Sequence, residues 1–152
     1  MRSLGGKRNF LNSQADGEWI CHWDDDDWSA PDRIERQMAE SQMAVSGFRS
    51  VLFWDEPAEQ AYRYEGAGLY VVGSSLVYRR SYWEVHRFGG LNEGEDNEFV
   101  TAARGINQLT ALEGRASMVA TTHCGNTSQR KYHTKQWRQV DRSEIPEPYF
   151  ET

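Results

Sequence analysis

Short apolar runs alternate with polar segments along the chain. Runs of strand length are followed by segments with helical spacing, and this alternation predicts an α/β fold in which helices flank a β-sheet. The predicted strands occupy residues 18–23, 50–54, 61–64, 69–72, 75–78 and 116–122. The predicted helices occupy residues 7–16, 81–87 and 95–104, with one more between Ser29 and Phe48.

Several of the predicted strands follow one another in the middle of the chain, so we expect a mixed β-sheet. Residues 65–68, Glu-Gly-Ala-Gly, predict a hairpin that joins strands 61–64 and 69–72. The length of 152 residues fits one domain over residues 1–152. Pro146 and Pro148 lie near the end, and residues 130–152 are predicted to form an extended tail.

The helix between Ser29 and Phe48 has a recognisable start. Ser29 is a predicted N-cap, and Pro31 suits a first helical turn. Ile34, Met38 and Val45 recur at helical spacing, which predicts an apolar face packed on the core.

Composition narrows the class of protein. The formal net charge is −6, so the chain lacks the overall basic character of nucleic-acid-binding domains. No apolar run approaches the ~20 residues of a membrane-spanning helix. We therefore expect a cytoplasmic protein without nucleic-acid partners. Hydrophobic residues make up 38% of the chain, which is consistent with a folded core rather than disorder.

Four consecutive aspartates, Asp24, Asp25, Asp26 and Asp27, follow the first predicted strand directly. Carboxylates at the carboxyl end of a strand lie where α/β sheets bind ligands. Oxygen ligands of this kind favour Mg²⁺ or Mn²⁺. The acidic run therefore predicts a divalent metal site.

The neighbours of the acidic run resemble family 2 glycosyltransferases. Residues 6–9 read Gly-Lys-Arg-Asn and residues 15–20 read Ala-Asp-Gly-Glu-Trp-Ile. Residues 23–28 read Trp-Asp-Asp-Asp-Asp-Trp and residues 31–35 read Pro-Asp-Arg-Ile-Glu. Order and spacing both match that family.

Later segments extend the resemblance to about residue 130. Residues 73–79 are similar to the family's middle strand. Residues 88–91, Phe-Gly-Gly-Leu, and residues 94–99, Gly-Glu-Asp-Asn-Glu-Phe, are similar to its acceptor-side acidic motif. Residues 122–128, Thr-His-Cys-Gly-Asn-Thr-Ser, are similar to its late histidine motif. The resemblance implies part of a GT-A-like fold.

The resemblance also implies roles for the donor-side residues. Asp24 and Asp26 correspond to an Asp-x-Asp pair, with Asp26 as the direct ligand of Mn²⁺ or Mg²⁺ and Asp24 directed towards the ribose or the metal. The implied donor is a UDP- or GDP-sugar. Further implied donor contacts come from Arg8 and Asp25, and further metal contacts from Asp27 and His123.

On the acceptor side, the resemblance implies that Asp96 is the general base, which needs hydrogen-bond reach to the acceptor hydroxyl. Glu95 is implied to bind the acceptor, a glycan or another hydroxyl compound. One base without a carboxylate nucleophile implies inversion at the anomeric carbon. The implied function is a metal-dependent inverting glycosyltransferase.

The first strands of the family have no counterpart before Gly5, so we expect a truncated domain whose sheet has an exposed edge. Three alternatives stay open: a fragment of a longer enzyme, a short protein completed by a homodimer or partner chain, and an inactive remnant that serves as a binding or assembly module. A metal-dependent phosphohydrolase is a further alternative, which the surrounding motifs disfavour.

Overall fold

A computed structural model describes residues 3–126 and 130–151. Within these residues the chain forms four α-helices: α1 (Leu4–Ser13), α2 (Arg33–Glu40), α3 (Arg80–Val85) and α4 (Glu95–Gly105). The strands are β1 (Trp19–Cys21), β2 (Trp28–Ser29), β3 (Val45–Asp55), β4 (Gln60–Glu65), β5 (Val77–Arg79), β6 (Leu109–Glu113), β7 (Met118–Thr122) and β8 (Trp137–Val140).

The long strand β3 organises a mixed sheet. Its first half pairs with β5 in antiparallel and with β6 in parallel orientation. Its second half pairs with β4 in antiparallel and with β7 in parallel orientation. The predicted mixed α/β class is confirmed. The side chains of β3 are buried along almost its whole length, because the sheet is covered on both faces.

Strand direction brings distant segments to one edge of the sheet. Strand β1 is antiparallel to β5, which is antiparallel to β3, so β1 and β3 run in the same direction. Strand β7 also runs parallel to β3. The segments that follow β1 and β7 therefore emerge on the same side. The first carries the acidic run and the second carries His123, so the topology places them together.

Strand β1 lies at an end of the sheet. Among the described residues it pairs only with β5, through Trp19, Ile20 and Cys21. No helix of the described chain is both long enough and apolar enough to cross a membrane.

The interpretation of α2 as a helix with an apolar inner face is wrong. Its buried residues are Arg33 and Gln37, whereas Ile34 is 38% exposed. Arg33 donates to the carbonyl oxygens of His22 and Ser74, so the inner face of α2 binds backbone rather than the apolar core. Polar burial of this kind cannot be recognised by apolar periodicity.

The ends of α2 also differ from the prediction. The helix begins after Asp32 and ends at Glu40. Ser29 belongs to β2, and its hydroxyl oxygen accepts a hydrogen bond from Arg33 instead of capping the helix.

The predicted hairpin between residues 61–64 and 69–72 is also wrong. Strand β4 forms its hairpin with β3, and residues 69–72 contain no strand. The predicted extended tail contains β8 and two 3-10 helices, Arg142–Glu144 and Glu147–Glu151. Ile145 within it is 3% exposed and packs on the core beside β3. Residues 127 and 128 of the predicted late motif and residue 152 of the predicted tail lie outside the described residues.

Candidate active site

The acidic run forms a compact group of carboxylates. Asp24, Asp26 and Asp27 can each place one oxygen atom within 4.8 Å of the others. Asp25 is exposed and lies outside this group. Within the run, the predicted metal ligands are therefore brought together and Asp25 is set apart.

Contacts with β7 and the following loop fix two of these carboxylates. The backbone N–H of Thr121 donates to Asp27 Oδ1 at 2.9 Å. Asp26 Oδ2 lies 2.9 Å from His123 Nε2. His123 Nδ1 accepts a hydrogen bond from the Gly125 N–H at 3.0 Å, so in the neutral ring the proton lies on Nε2 and points to Asp26. The predicted association of His123 with the acidic run is thus present in the geometry.

Burial raises the energy of the charged form of two members of the group. The pKa of Asp24 is raised by burial and by the neighbouring Asp26, against the opposing effect of Arg8. Burial raises the pKa of Asp27 to about 6, and the Thr121 N–H partly opposes that shift. Carboxylates that repel one another in a partly desolvated site gain from a cation between them.

The arrangement suits a divalent cation that prefers oxygen ligands. An octahedral Mg²⁺ or Mn²⁺ lies about 2.1 Å from its ligands, so ligand oxygens are separated by roughly 3 to 4 Å. The observed 4.8 Å limit is close to that spacing, and Asp26 is exposed, so its side chain can rotate towards its neighbours. Asp24, Asp26 and Asp27 are therefore the residues that would hold such an ion.

The buried guanidinium of Arg33 lies next to the acidic run and holds the adjoining backbone in place. Arg33 is 1% exposed, and its two terminal nitrogens bond to Ser29, His22 and Ser74. Its positive charge acts on both Asp24 and Asp27. Arg33 therefore ties the loop after β1 to the loop before β5. This role was not predicted from the sequence, in which the one available signal is an arginine within an amphipathic helix pattern.

A second buried polar group lies on the α4 side of the site. Arg8 Nε pairs with Glu95 Oε1 at 3.0 Å, and Glu95 is only 2% exposed. His22 Nδ1 donates to the Gly73 carbonyl oxygen at 2.7 Å, and burial followed by the charge of Arg8 lowers the His22 pKa to about 3. His22 is consequently neutral at pH 7. Glu95 faces Arg8, so its carboxylate anchors α1 to the start of α4.

Asp96 occupies the first turn of α4. Gly94 precedes the helix with φ 79°, a left-handed conformation that favours glycine. A Cβ atom on Gly73 would lie 2.7 Å from Asp96 Cγ, so the Asp96 carboxylate rests directly on the Gly73 backbone. Burial and the neighbouring Glu95 raise the Asp96 pKa. A raised pKa makes a carboxylate a stronger proton acceptor.

A cavity of about 480 Å³ joins these groups, and we call it the Asp96 cavity. Asp24, Asp26, Asp27 and Asp96 all line it. Its lining also includes residues that were not predicted as site residues, namely Tyr70, Gly73, Ser74, Asn92, Asn126 and Arg130. Arg8, Glu95 and His123 also line it, so seven of the eight predicted site residues share one cavity.

Asp25 lines a different cavity of about 650 Å³, which we call the aromatic cavity. Trp28, Trp54, Tyr149 and Phe150 contribute to its walls. Asp26, Asp27, Thr121 and His123 line both cavities and form the wall between them.

The raised pKa of Asp27 can be tested through the stability of the metal-free protein. Its folded pKa lies above the ordinary value of 3.8, so the folded state binds the proton more tightly, and stability falls as the pH rises from about 4 to 6. Asp27→Asn keeps the acceptor for the Thr121 N–H and removes the charge. We expect the variant to be more stable by roughly 1–2 kcal/mol at pH 7.5, after allowance for its partial exposure.

Urea unfolding in EDTA at pH 4.5 and 7.5 measures this effect. The two proteins should be nearly equally stable at pH 4.5. A variant that is less stable than the wild type at pH 7.5 would contradict the burial of an unfavourable charge at Asp27.

Comparisons with known proteins agree with this architecture. Residues 2–52 match the family model described as glycosyl transferase family 2. The chain is similar to the crystal structure of S. aureus TarS 1-349 in complex with UDP, with a TM-score of 0.57 and 19% identity, over 79% of this chain and 40% of that one. A second crystal structure of TarS 1-349 gives a TM-score of 0.57 and 20% identity, over 78% of this chain and 40% of that one.

The predicted resemblance to family 2 glycosyltransferases is confirmed by the family match over residues 2–52. The predicted GT-A-like fold is confirmed by the similarity to TarS, which at this identity concerns the fold. The chain spans about two fifths of the length of the TarS structures that it matches. No curated protein sequence matches it significantly.

Proposed function

We propose that this chain, with its family 2 glycosyl transferase segment on a GT-A fold, forms the metal and acceptor side of an inverting glycosyltransferase. The observation that carries the proposal is one cavity that is lined both by the group of Asp24, Asp26 and Asp27 carboxylates and by Asp96. A cation site beside a carboxylate of raised pKa is the combination that sugar transfer from a nucleotide diphosphate requires.

The donor in this proposal is a nucleotide-diphospho-sugar. TarS 1-349 was crystallised with UDP, which supports a uridine nucleotide for this chain as well. When bound, Mn²⁺ or Mg²⁺ would neutralise the diphosphate as it leaves. Asp24, Asp26 and Asp27 would hold the cation, and His123 would orient Asp26 or join the ligand set. Arg8 lines the cavity and offers positive charge to the phosphates.

Asp96 is the proposed base. Its carboxylate accepts the proton of the acceptor hydroxyl while that oxygen forms a bond with the anomeric carbon and the bond to the diphosphate oxygen breaks. Attack from the face opposite the diphosphate inverts the anomeric centre. Glu95 and Arg8 position Asp96 by fixing the first turn of α4 on α1.

Calorimetry with UDP and GDP in the presence and absence of Mn²⁺ tests the donor side. We expect a nucleotide diphosphate to bind only with the metal, because the carboxylates alone repel phosphate. The titration is run at protein concentrations below and above any dimerisation equilibrium. Metal-dependent binding that is missing at every concentration would overturn the proposal of an active enzyme.

Hydrolysis of UDP-sugars with water as the acceptor tests the chemistry. We expect slow Mn²⁺-dependent release of UDP by the wild type and its loss in Asp96→Asn. Asp32→Asn is the matched control, because Asp32 is exposed and its side chain caps no helical N–H. Nucleotide binding without release of UDP would favour the inactive binding module instead.

A further inference from the structure

The aromatic cavity shares Asp26, Asp27, Thr121 and His123 with the Asp96 cavity, and its aromatic walls have no part in the proposed chemistry. It opens where β3 and β7 end, with Trp54 on β3 and Thr121 on β7 among its walls. Asp26 and His123 separate it from the cavity that contains Asp96. The two cavities are therefore direct neighbours that share these side chains.

Packing between aromatic rings fixes one wall of this cavity in advance. Trp54 and Phe150 meet edge to face with ring centres 5.2 Å apart, and Tyr149 meets Phe150 at 5.0 Å. The Tyr149 hydroxyl lies 3.0 Å from Thr121 Oγ1. The Arg142 guanidinium lies 4.4 Å from the centre of the Phe150 ring. This wall is ordered by contacts within the chain, so little ordering remains to be done when a ligand binds.

Burial of Ile145 holds the carboxyl-terminal segment in place. Ile145 is 3% exposed and packs in the same apolar cluster as Leu52 and Trp54. Phe150, by contrast, is 39% exposed, so part of its ring faces the cavity and solvent. The wall thus combines a buried anchor with an accessible aromatic surface.

The polar lining of the aromatic cavity is acidic. Asp25 and Glu56 are exposed there and lie outside the metal group. Among the described residues that line it, none is lysine or arginine. Aromatic rings cover the apolar C–H faces of a sugar, and carboxylates accept hydrogen bonds from its hydroxyl or amino groups. Asp25 and Glu56 would repel the carboxylate or phosphate groups of an acidic glycan, whereas the nearby Arg142 guanidinium is already stacked on the Phe150 and Trp54 rings.

We infer that the aromatic cavity binds a sugar ring of a glycan acceptor that carries no acidic groups, next to the ring whose hydroxyl reacts at Asp96. This inference rests on the proposed function for the identity of the acceptor site. It names the acceptor class as a neutral or amino-sugar glycan. A cavity volume of about 650 Å³ is in the range of small-ligand pockets and accommodates such a ring.

Saturation-transfer NMR titrations with cellobiose and with N,N′-diacetylchitobiose test the inference without metal or donor. We expect saturable binding of at least one disaccharide to the wild type. Phe150→Ala and Glu56→Gln should each weaken it, the first at least tenfold. Phe10→Ala is the matched control, because Phe10 is an aromatic residue of α1 that is 48% exposed and lines neither cavity. Thermal melting verifies that every variant is folded.

Two results would overturn the inference: no disaccharide binds the wild type, or folded Phe150→Ala binds as tightly as the wild type. Preferential binding of digalacturonate would overturn the selection against acidic glycans. Calorimetry with UDP and Mn²⁺ on the same preparation separates this inference from the proposed function. UDP binding without disaccharide binding removes the inference and leaves the proposed function standing. Disaccharide binding without UDP binding removes the transferase proposal and with it the acceptor role of the aromatic cavity, which then remains a sugar-binding site only.

Discussion

Asp26→Asn is expected to lower the affinity for Mn²⁺ by at least ~100-fold, because it removes one charged ligand from a group of three. Such a loss corresponds to about 2.7 kcal/mol of binding free energy. Asparagine has nearly the same shape and can still face His123, so the variant changes charge more than packing. Isothermal titration with Mn²⁺ measures the affinity, and UDP release should fall with it if the metal takes part in the reaction.

Asp32→Asn serves as the control for general electrostatic effects. It removes a charge of the same sign from an exposed residue close in sequence, outside the group of Asp24, Asp26 and Asp27. Its Mn²⁺ affinity should stay within about threefold of the wild type, since exposed charges are screened by salt. Equal losses in both variants would show that the acidic run binds Mn²⁺ only as a diffuse charge.

Gly73→Ala is expected to reduce the rate of sugar transfer by roughly 100-fold through displacement of Asp96. The added Cβ would overlap Asp96 Oδ2 and lie 2.7 Å from Cγ and 2.8 Å from Cβ of that residue. Asp96 lies in the first turn of α4, so relief requires either rotation of its side chain or a shift of the helix. Either movement takes the base away from the acceptor hydroxyl. Initial rates with a UDP-sugar donor measure the effect.

Gly47→Ala controls for overpacking alone. Its Cβ would lie 2.8 Å from Val71 Cγ2 and 2.9 Å from Val71 Cβ, a similar steric conflict with a residue that lines neither cavity. Both variants should lose roughly 1–3 kcal/mol of stability. Only Gly73→Ala should lose transfer activity in the folded protein. A folded Gly73→Ala with the wild-type rate would remove Asp96 from the role of base.

Local signals explain why part of the fold could be predicted from the sequence. Helix α4, Glu95–Gly105, was predicted as residues 95–104, because acidic residues in a first turn and a following glycine are governed by the helix itself. The strand before His123 was predicted for a similar reason, since Met118–Thr122 is a short apolar run with β-branched residues.

Strand β6 was not predicted. Its sequence Leu-Thr-Ala-Leu-Glu contains residues that favour helices, and parallel pairing with β3 overrides that preference. Strand β8 was likewise assigned to a tail, because its partner β4 lies more than seventy residues earlier. Strand pairing over such distances leaves no periodic pattern within either segment.

The candidate site shows the same division. The acidic run could be predicted as a group because consecutive carboxylates are a short motif with its own chemistry, and the role of Asp96, which was implied by the family resemblance, stays a prediction. Three features could not be predicted: the hydrogen bonds of Arg33 to the backbone next to the acidic run, the contact of Asp96 with Gly73, and the aromatic cavity. Each depends on residues that are distant in sequence and that only the sheet brings together.

By itself, the sequence determined the run of carboxylates after β1 and the start of helix α4, because charge, capping and turn preferences act over a few residues. The tertiary structure alone decided which of these groups face one another and which stay apart. Seven of the eight predicted site residues line the Asp96 cavity, whereas Asp25 faces the aromatic cavity. The parallel direction of β1, β3 and β7 produces that separation, because it brings three strand ends to one edge and leaves Asp26 and His123 as the wall between two cavities.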